Sequence, residues 1–268
     1  MDRIPSMTRA PWQVVLPAAI AASFLALPLL SLSIRTPWRA LPRLLSDRQV
    51  LTALRLSAIT ATTSMLSCVL IGVPLAWVLA RTRSRWITGL RTLVLVPLVL
   101  PPVVGGVALL LAFGRNGILG RLLDAWFGVT LPFTTAGVVL AQTFVALPFL
   151  VITVEGALRS SDTTFEEAAS TLGASTWTTF RRVTLPLIAP ALAAGAALSW
   201  ARALGEFGAT ITFAGNFAGR TQTLPLSVYL VLETDPQAAL ALSLVLLLAS
   251  LAIIVLLRRR WVPTIRVP

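Results

Sequence analysis

Six long apolar stretches, separated by short polar segments, dominate the 268-residue chain: 13–33, 52–80, 87–113, 132–154, 185–211 and 238–257. A helix needs about 20 mostly apolar residues to cross the hydrocarbon of a bilayer, and each stretch meets that length. The longer ones leave room for tilt or for extension into water. The pattern therefore predicts an all-α integral membrane protein of about six transmembrane helices, built as one transmembrane domain over 1–268. The apolar stretch 224–232 is far too short to span, and it predicts a short helix near the outer surface.

Composition agrees. Hydrophobic residues make up 56% of the chain and charged residues 12%, with a mean hydropathy of +0.86, values outside the range of soluble domains. All 22 basic residues are arginine. With the N-terminus in the cytoplasm, the inner segments hold thirteen of them: Arg3, Arg9, Arg81, Arg83, Arg85, Arg91, Arg159, Arg181, Arg182, Arg258, Arg259, Arg260 and Arg266. The outer segments hold seven, Arg35, Arg39, Arg43, Arg48, Arg115, Arg121 and Arg220, while Arg55 and Arg202 fall within the apolar stretches. The positive-inside bias favours cytoplasmic N- and C-termini. Topology and anionic lipid then account for the net charge of +12, and no nucleic acid is implied. The first stretch follows Arg3 and Arg9 but is too long for a secretion signal, so it reads as a retained helix. Trp12, Trp38 and Trp261 stand at predicted helix ends, where an aromatic belt is expected.

What is missing limits the chemistry. Without lysine there is no Walker A or Schiff-base lysine, and without histidine no imidazole base or ligand. One cysteine, Cys68 in the second helix, cannot form an intrachain disulfide. The ten carboxylates are scattered, so no catalytic residue, metal site or cofactor is expected in this chain. An intramembrane enzyme is disfavoured on this ground. If the chain takes part in ATP-driven work, the ATP and Mg must be bound by a separate polypeptide.

One long polar segment interrupts the apolar pattern, residues 165–186, FEEAASTLGASTWTTFRRVTLP. Its core is Glu167-Ala168-Ala169, three residues, Gly173, nine residues, then Val183-Thr184-Leu185-Pro186. The alanine-rich turn predicts a helix that Gly173 ends, and Leu185-Pro186 predicts the opening of the next membrane helix with proline in its first turn. A helix–turn–helix of this size can plug into a groove on a soluble partner. The spacing resembles the EAA loop by which permeases of ABC transporters dock onto their ATPase. That resemblance implies a cytoplasmic coupling loop at about 156–186, with Glu166, Glu167, Ala168, Ala169, Gly173, Leu185 and Pro186 as coupling residues.

A second region, 200–229, places Arg202 and Glu206 four residues apart, on one face of a helix. Charges inside a membrane segment face a bundle interior or a water-filled path. Two readings stand: an internal salt bridge that tightens packing, or a pair lining a pathway. Gly205 and Gly208 offer small surfaces for close approach of another helix or subunit. In the third stretch, Pro101 and Pro102 followed by Gly105 and Gly106 disturb the backbone ladder, as a gate or as a packing kink.

The runs Arg202-Ala203-Leu204-Gly205-Glu206-Phe207-Gly208-Ala209-Thr210 and Gly219-Arg220-Thr221-Gln222-Thr223-Leu224-Pro225 resemble the molybdate branch of the molybdate/sulfate-type permeases. So do Gly72-Val73-Pro74-Leu75-Ala76-Trp77 and Leu100-Pro101-Pro102-Val103-Val104-Gly105-Gly106. The likeness covers most of the chain from about residue 50 onward. Val183 stands where the broad superfamily usually has isoleucine, a conservative departure. The resemblance implies the type I ABC importer permease fold in a bacterial cell membrane. It also implies a homodimer of this subunit, two cytoplasmic ATPase subunits and an extracytoplasmic oxyanion-binding protein. The implied cargo is molybdate, with sulfate, thiosulfate or tungstate as the alternative. A path for a dianion that must be released calls for backbone N–H groups, hydroxyls and helix N-termini. A non-transport assembly protein would leave the 167–186 spacing and the intramembrane Arg202 and Glu206 without a purpose.

Overall fold

A computed structural model describes residues 11–82 and 84–261. Arg3, Arg9, Arg83 and Arg266, used above for orientation, lie outside the described residues, as do the side chains of Arg258, Arg259, Arg260 and Trp261. In chain order the helices are α1 (Trp12–Arg35), α2 (Arg48–Arg81), α3 (Arg85–Val99), α4 (Pro102–Phe113), α5 (Gly120–Phe127) and α6 (Thr135–Ser160). They continue as α7 (Thr164–Thr171), α8 (Thr176–Leu187), α9 (Ala189–Leu204), α10 (Gly208–Ala214), α11 (Leu224–Thr234) and α12 (Pro236–Trp261). Two short turns, Trp38–Ala40 and Leu41–Leu45, join α1 to α2.

Among the described residues, α1, α2 and α6 pass as unbroken helices long and apolar enough to cross a bilayer, and the bent pair α8 and α9 reaches that length together. The stretch 87–113 divides into α3 and α4. Pro101 and Pro102 have no N–H to donate, Leu100 and Pro101 turn extended, and Pro102 restarts the helix in its first turn. The stretch 185–211 is cut twice, by a 73° bend at Ile188 and again at Gly205–Phe207. The short apolar stretch after the second cut is helical as expected, as α11.

The interior is made by α2, α6 and α9. α2 turns small residues inward at helical spacing, Ala61, Ser64, Cys68, Gly72 and Ala76, all buried. Small faces let helices approach closely where lipid offers no hydrophobic drive for their association. A Cβ on Gly72 would stand 2.6 Å from Leu150 Cδ2 of α6, so the leucine side chain packs directly onto the glycine. Leu150, Val154 and Leu158 continue the seam towards the C-terminal end of α6, against Leu79 and Leu204. By contrast, α1 buries none of its residues, so its apolar surface is free for lipid or another subunit. On the far side, Ser57 Oγ of α2 accepts the Leu224 N–H at 2.6 Å and pins the start of α11.

Candidate docking loop and helix breaks

The polar segment folds as the helix–turn–helix α7–α8. Asp162 opens it, its Oδ1 accepting from the Thr164 hydroxyl at 2.6 Å and the Thr164 N–H at 3.0 Å. These bonds hold the carboxyl below the ordinary aspartate range. Gly173 ends α7 with φ at +81°, a left-handed conformation that costs a residue with a Cβ about 1–2 kcal/mol. Its N–H reaches Ser170 O at 2.9 Å, while the Ala174 N–H reaches Ala169 O at 3.0 Å. This pair of bonds closes the helix end in the Schellman manner. Ser175 then starts α8, its Oγ accepting the Thr178 N–H at 3.2 Å.

Leu185 and Pro186 do not open the next membrane helix. They lie near the end of α8, which begins at Thr176. Phe180–Thr184 widens into a π turn, with the Leu185 N–H on Phe180 O. A proline removes one i→i−4 bond and its ring crowds the carbonyl of that position, and a widened turn relieves both. The membrane helix opens instead at Ala189 beyond the bend, with Pro190 in its first turn.

The two adjacent glutamates of the loop have opposite fates. Glu166 points inward: its Oε1 accepts from Arg81 Nη2 at 2.9 Å and from Thr184 Oγ1 at 2.8 Å. Arg81 also reaches Ser161 Oγ at 3.2 Å. One carboxylate oxygen thus ties α7 to the end of α2 and to α8. Beside it, Trp77 of α2 meets Phe180 of α8 edge-on, 6.4 Å between centroids, and Phe180 stacks on Trp177. Glu167 is exposed, and its Oε1 accepts from the Thr163 hydroxyl at 3.0 Å. Ala168 is exposed and Ala169 half-buried. Phe165, Leu172 and Trp177 stand out from the loop, Leu172 at 88% exposure, which gives it an uncovered apolar surface.

A second charged cluster was not anticipated. Glu155 of α6 is buried, and its Oε1 accepts from Arg91 Nε and Arg159 Nε, each at 2.9 Å. Both guanidinium groups also donate to Leu79 O, at 3.2 and 3.3 Å. The cluster joins α2, α3 and α6 beside the loop. The Glu155/Arg159 spacing signals half of it; Arg91 comes from a distant part of the chain and leaves no local signature.

At the second break, Arg202 and Glu206 do pair, Nη2 to Oε2 at 2.6 Å, but not along one continuous helix. α9 ends at Leu204, and Glu206 sits in the connection, where its Oε1 caps α10 by accepting the Ala209 N–H at 2.7 Å. Of the small residues, Gly208 makes the close approach, since a Cβ there would lie 2.7 Å from Pro102 Cβ. The first turns of α4 and α10 therefore meet, and Gly106 extends the contact to Thr212 and Ala209 O. Gly105 faces Phe144 instead, Gly205 is exposed with no other element near, and Pro101 is exposed in the extended link.

Residues 72–263 match the family of binding-protein-dependent transport system inner membrane components. The chain belongs to that family. It is 53% identical over 247 residues to the molybdenum transport system permease protein ModB of Mycobacterium tuberculosis, covering 92% of this chain and 93% of that one. It is 41% identical over 194 residues to ModB of Escherichia coli K12, covering 72% and 85%. With the sulfate transport system permease protein CysT of Escherichia coli K12 it shares 38% over 218 residues, covering 81% and 78%. Among solved structures it resembles a chain of the bacterial alginate ABC transporter in complex with alginate pentasaccharide-bound periplasmic protein. That match has a TM-score of 0.74 at 17% identity and covers 92% of each chain. The MetNI methionine ABC transporter, inward facing, gives a TM-score of 0.60 at 19% identity, covering 79% of this chain and 92% of that one. The fold is the type I ABC importer permease fold, and the family membership is the one the GEFGAT and GRTQTLP runs resemble. This is a multi-pass membrane protein.

Proposed function

We propose that this chain is the transmembrane permease subunit of an ATP-driven importer of molybdate. The 53% identity to a molybdenum transport permease, over 92% of this chain, carries the reading of the cargo. The matched chain aligns through the coupling loop and both breaks. In this reading two copies of the subunit face each other across a two-fold axis, which gives one path lined twice by the same helices. The arginine distribution supports cytoplasmic termini and hence a cytoplasmic α7–α8. There the exposed Phe165, Ala168, Leu172 and Trp177 enter a groove on each of two ATPase subunits, which bind ATP and Mg. An extracytoplasmic binding protein delivers the oxyanion to the opposite face.

The geometry supports a direct route for coupling. A shift of α7 pulls on Glu166, which holds Arg81 and Thr184, so α2 and α8 move with it. Gly173 fixes the angle between the loop helices, and Glu167, Ala168 and Ala169 form the surface and underside of the docking helix. A ligand shifts such an equilibrium only by binding the two states unequally, and the ATPase groove is where that difference enters. In the membrane, Pro101, Pro102 and Gly105 lie at or beside one break, and Arg202, Gly205, Glu206 and Gly208 at the other. Rocking about these breaks opens the path to one side and then the other.

Reconstitution of this subunit with its ATPase and binding protein in proteoliposomes tests the reading. ATP-dependent molybdate entry that survives excess sulfate supports it. Entry of sulfate in place of molybdate moves the cargo to the CysT-like alternative, and absence of any oxyanion uptake by an intact complex overturns the assignment.

A further inference from the structure

α6 is 26 residues long, about 39 Å at 1.5 Å per residue. Its C-terminal end feeds the docking loop, and its N-terminal end borders a cavity of about 430 Å³ whose walls include Arg115, Thr130, Phe133 and Arg220. The volume lies in the range of small-molecule sites, about 300–1,000 Å³.

The walls are built rather than loose. Arg220 sits on a tight turn in which Phe217 O accepts the N–H groups of Arg220, Thr221 and Gln222 at 3.1, 2.9 and 3.0 Å. Phe217 N–H is held in return by Thr221 Oγ1 at 2.9 Å, and Arg220 O accepts from Thr135 Oγ1 at 2.8 Å. The backbone of Arg220 is therefore fixed while its guanidinium stays exposed. Phe133 has φ at +60°, the one positive value outside glycine among the described residues. Such strain persists only where the surroundings over-determine it. Here Phe217 meets the Phe133 ring edge-on, 6.1 Å between centroids.

The charge is unbalanced. Among the described residues Arg220 has no carboxylate within ion-pair distance, and Arg115 has only the half-buried Asp124 at 3.5 Å. We infer that this cavity is a reception site for a small tetrahedral dianion, held by Arg220 and Arg115 with the Thr130 hydroxyl. It rests on the importer reading for the side from which the anion arrives. Both guanidinium groups are solvated, so the hold is screened and loose. An entry site needs that looseness, since binding must draw the ion in without trapping it. The concave shape and the separate origin of the two arginines suit a small ion better than a protein surface.

The only cysteine of this chain, Cys68, is buried, so Leu110→Cys in the cavity wall gives the chain a single reachable thiol, read on the permease band, with Pro132→Cys as a second position. The test compares sulfonatoethyl and trimethylammonioethyl methanethiosulfonate labelling in the reconstituted permease–ATPase complex. Each rate is divided by that reagent's rate with a small free thiol, and on this scale the anionic reagent is expected to lead by about fivefold, an advantage that Arg220→Gln reduces. Millimolar molybdate or sulfate slows labelling where chloride at equal ionic strength does not. Equal normalised rates without protection at both positions overturn the site. Protection by the binding protein alone, and not by free oxyanion, makes the surface a docking face and also overturns it. Protection by sulfate in a complex that imports no molybdate keeps the site and ends the molybdate reading.

Discussion

Arg202 Nη2 lies 2.6 Å from Glu206 Oε2 although the helix carrying the arginine has already ended at Leu204. Glu206 is 1% exposed, and its other oxygen caps α10. The pair is thus an ion pair and a helix cap at once, and removing one partner leaves an uncompensated buried charge. Arg202→Ala is expected to cost about 3 kcal/mol, less if water reaches the vacated space. Thermal unfolding in detergent measures it. Arg202→Ala with Glu206→Gln should recover much of the loss, and an unchanged midpoint in Arg202→Ala contradicts the dry, paired site.

Glu166 gives a different kind of expectation, because its bonds join the loop to α2 and α8. Glu166→Leu or Arg81→Met should leave ATPase association in place and lower oxyanion uptake per ATP hydrolysed, since Phe165, Ala168 and Leu172 remain available for docking. Exchanging the charges, Arg81→Glu with Glu166→Arg, should restore part of the uptake. Loss of ATPase co-purification in Glu166→Leu, with the membrane fold intact, would assign this residue to the interface instead.

Glu155 separates a shared partner from a peripheral one. Glu155→Ala removes the carboxylate that two partly exposed guanidinium groups share; solvent screens the arginines left behind, so the protein should lose about 2 kcal/mol. Arg159 is half exposed, so Arg159→Ala should cost under about 1 kcal/mol. Equal losses of unfolding midpoint would mean that the Arg91–Glu155 half carries no stability.

The apolar pattern disclosed the helical membrane architecture, and the loop spacing disclosed a helix capped by Gly173, because both are local signals. Local signals misplace what depends on neighbours. Leu185-Pro186 has the form of a helix start, yet the helix begins at Thr176 because Ser175 caps it and the π turn accommodates the proline. The stretch 185–211 is apolar enough for one span, yet it is divided by the bend at Ile188 and again at Gly205–Phe207, where Glu206 caps α10. Gly105 and Gly106 are equivalent in sequence, but helix rotation sends one towards Phe144 and the other against Thr212. Arg81–Glu166 and Arg91–Glu155 join residues far apart in the chain, which no spacing reveals.

Gly208 tests the contact between the two breaks. Gly208→Ala puts a methyl 2.7 Å from Pro102 Cβ, and such overpacking costs about 1–3 kcal/mol. Gly89→Ala, with nothing within 4 Å, is the matched control and should be neutral or slightly stabilising, as Gly→Ala is inside a helix. If the two variants unfold alike, α4 and α10 are not in the stated contact.

Gly173 bears most directly on the central claim, that α7–α8 transmits ATPase motion to the membrane helices. A Cβ at Gly173 would meet no atom within 4 Å, so Gly173→Val acts chiefly through the left-handed backbone, reorienting α7 against α8. Molybdate accumulated and ATP hydrolysed are to be measured in the same proteoliposomes. The wild type is predicted to accumulate molybdate in step with hydrolysis, Gly173→Val to lose most accumulation, and Gly173→Asn, which tolerates the left-handed conformation better, to fall between them. Wild-type accumulation per ATP in Gly173→Val would contradict the coupling role of the loop.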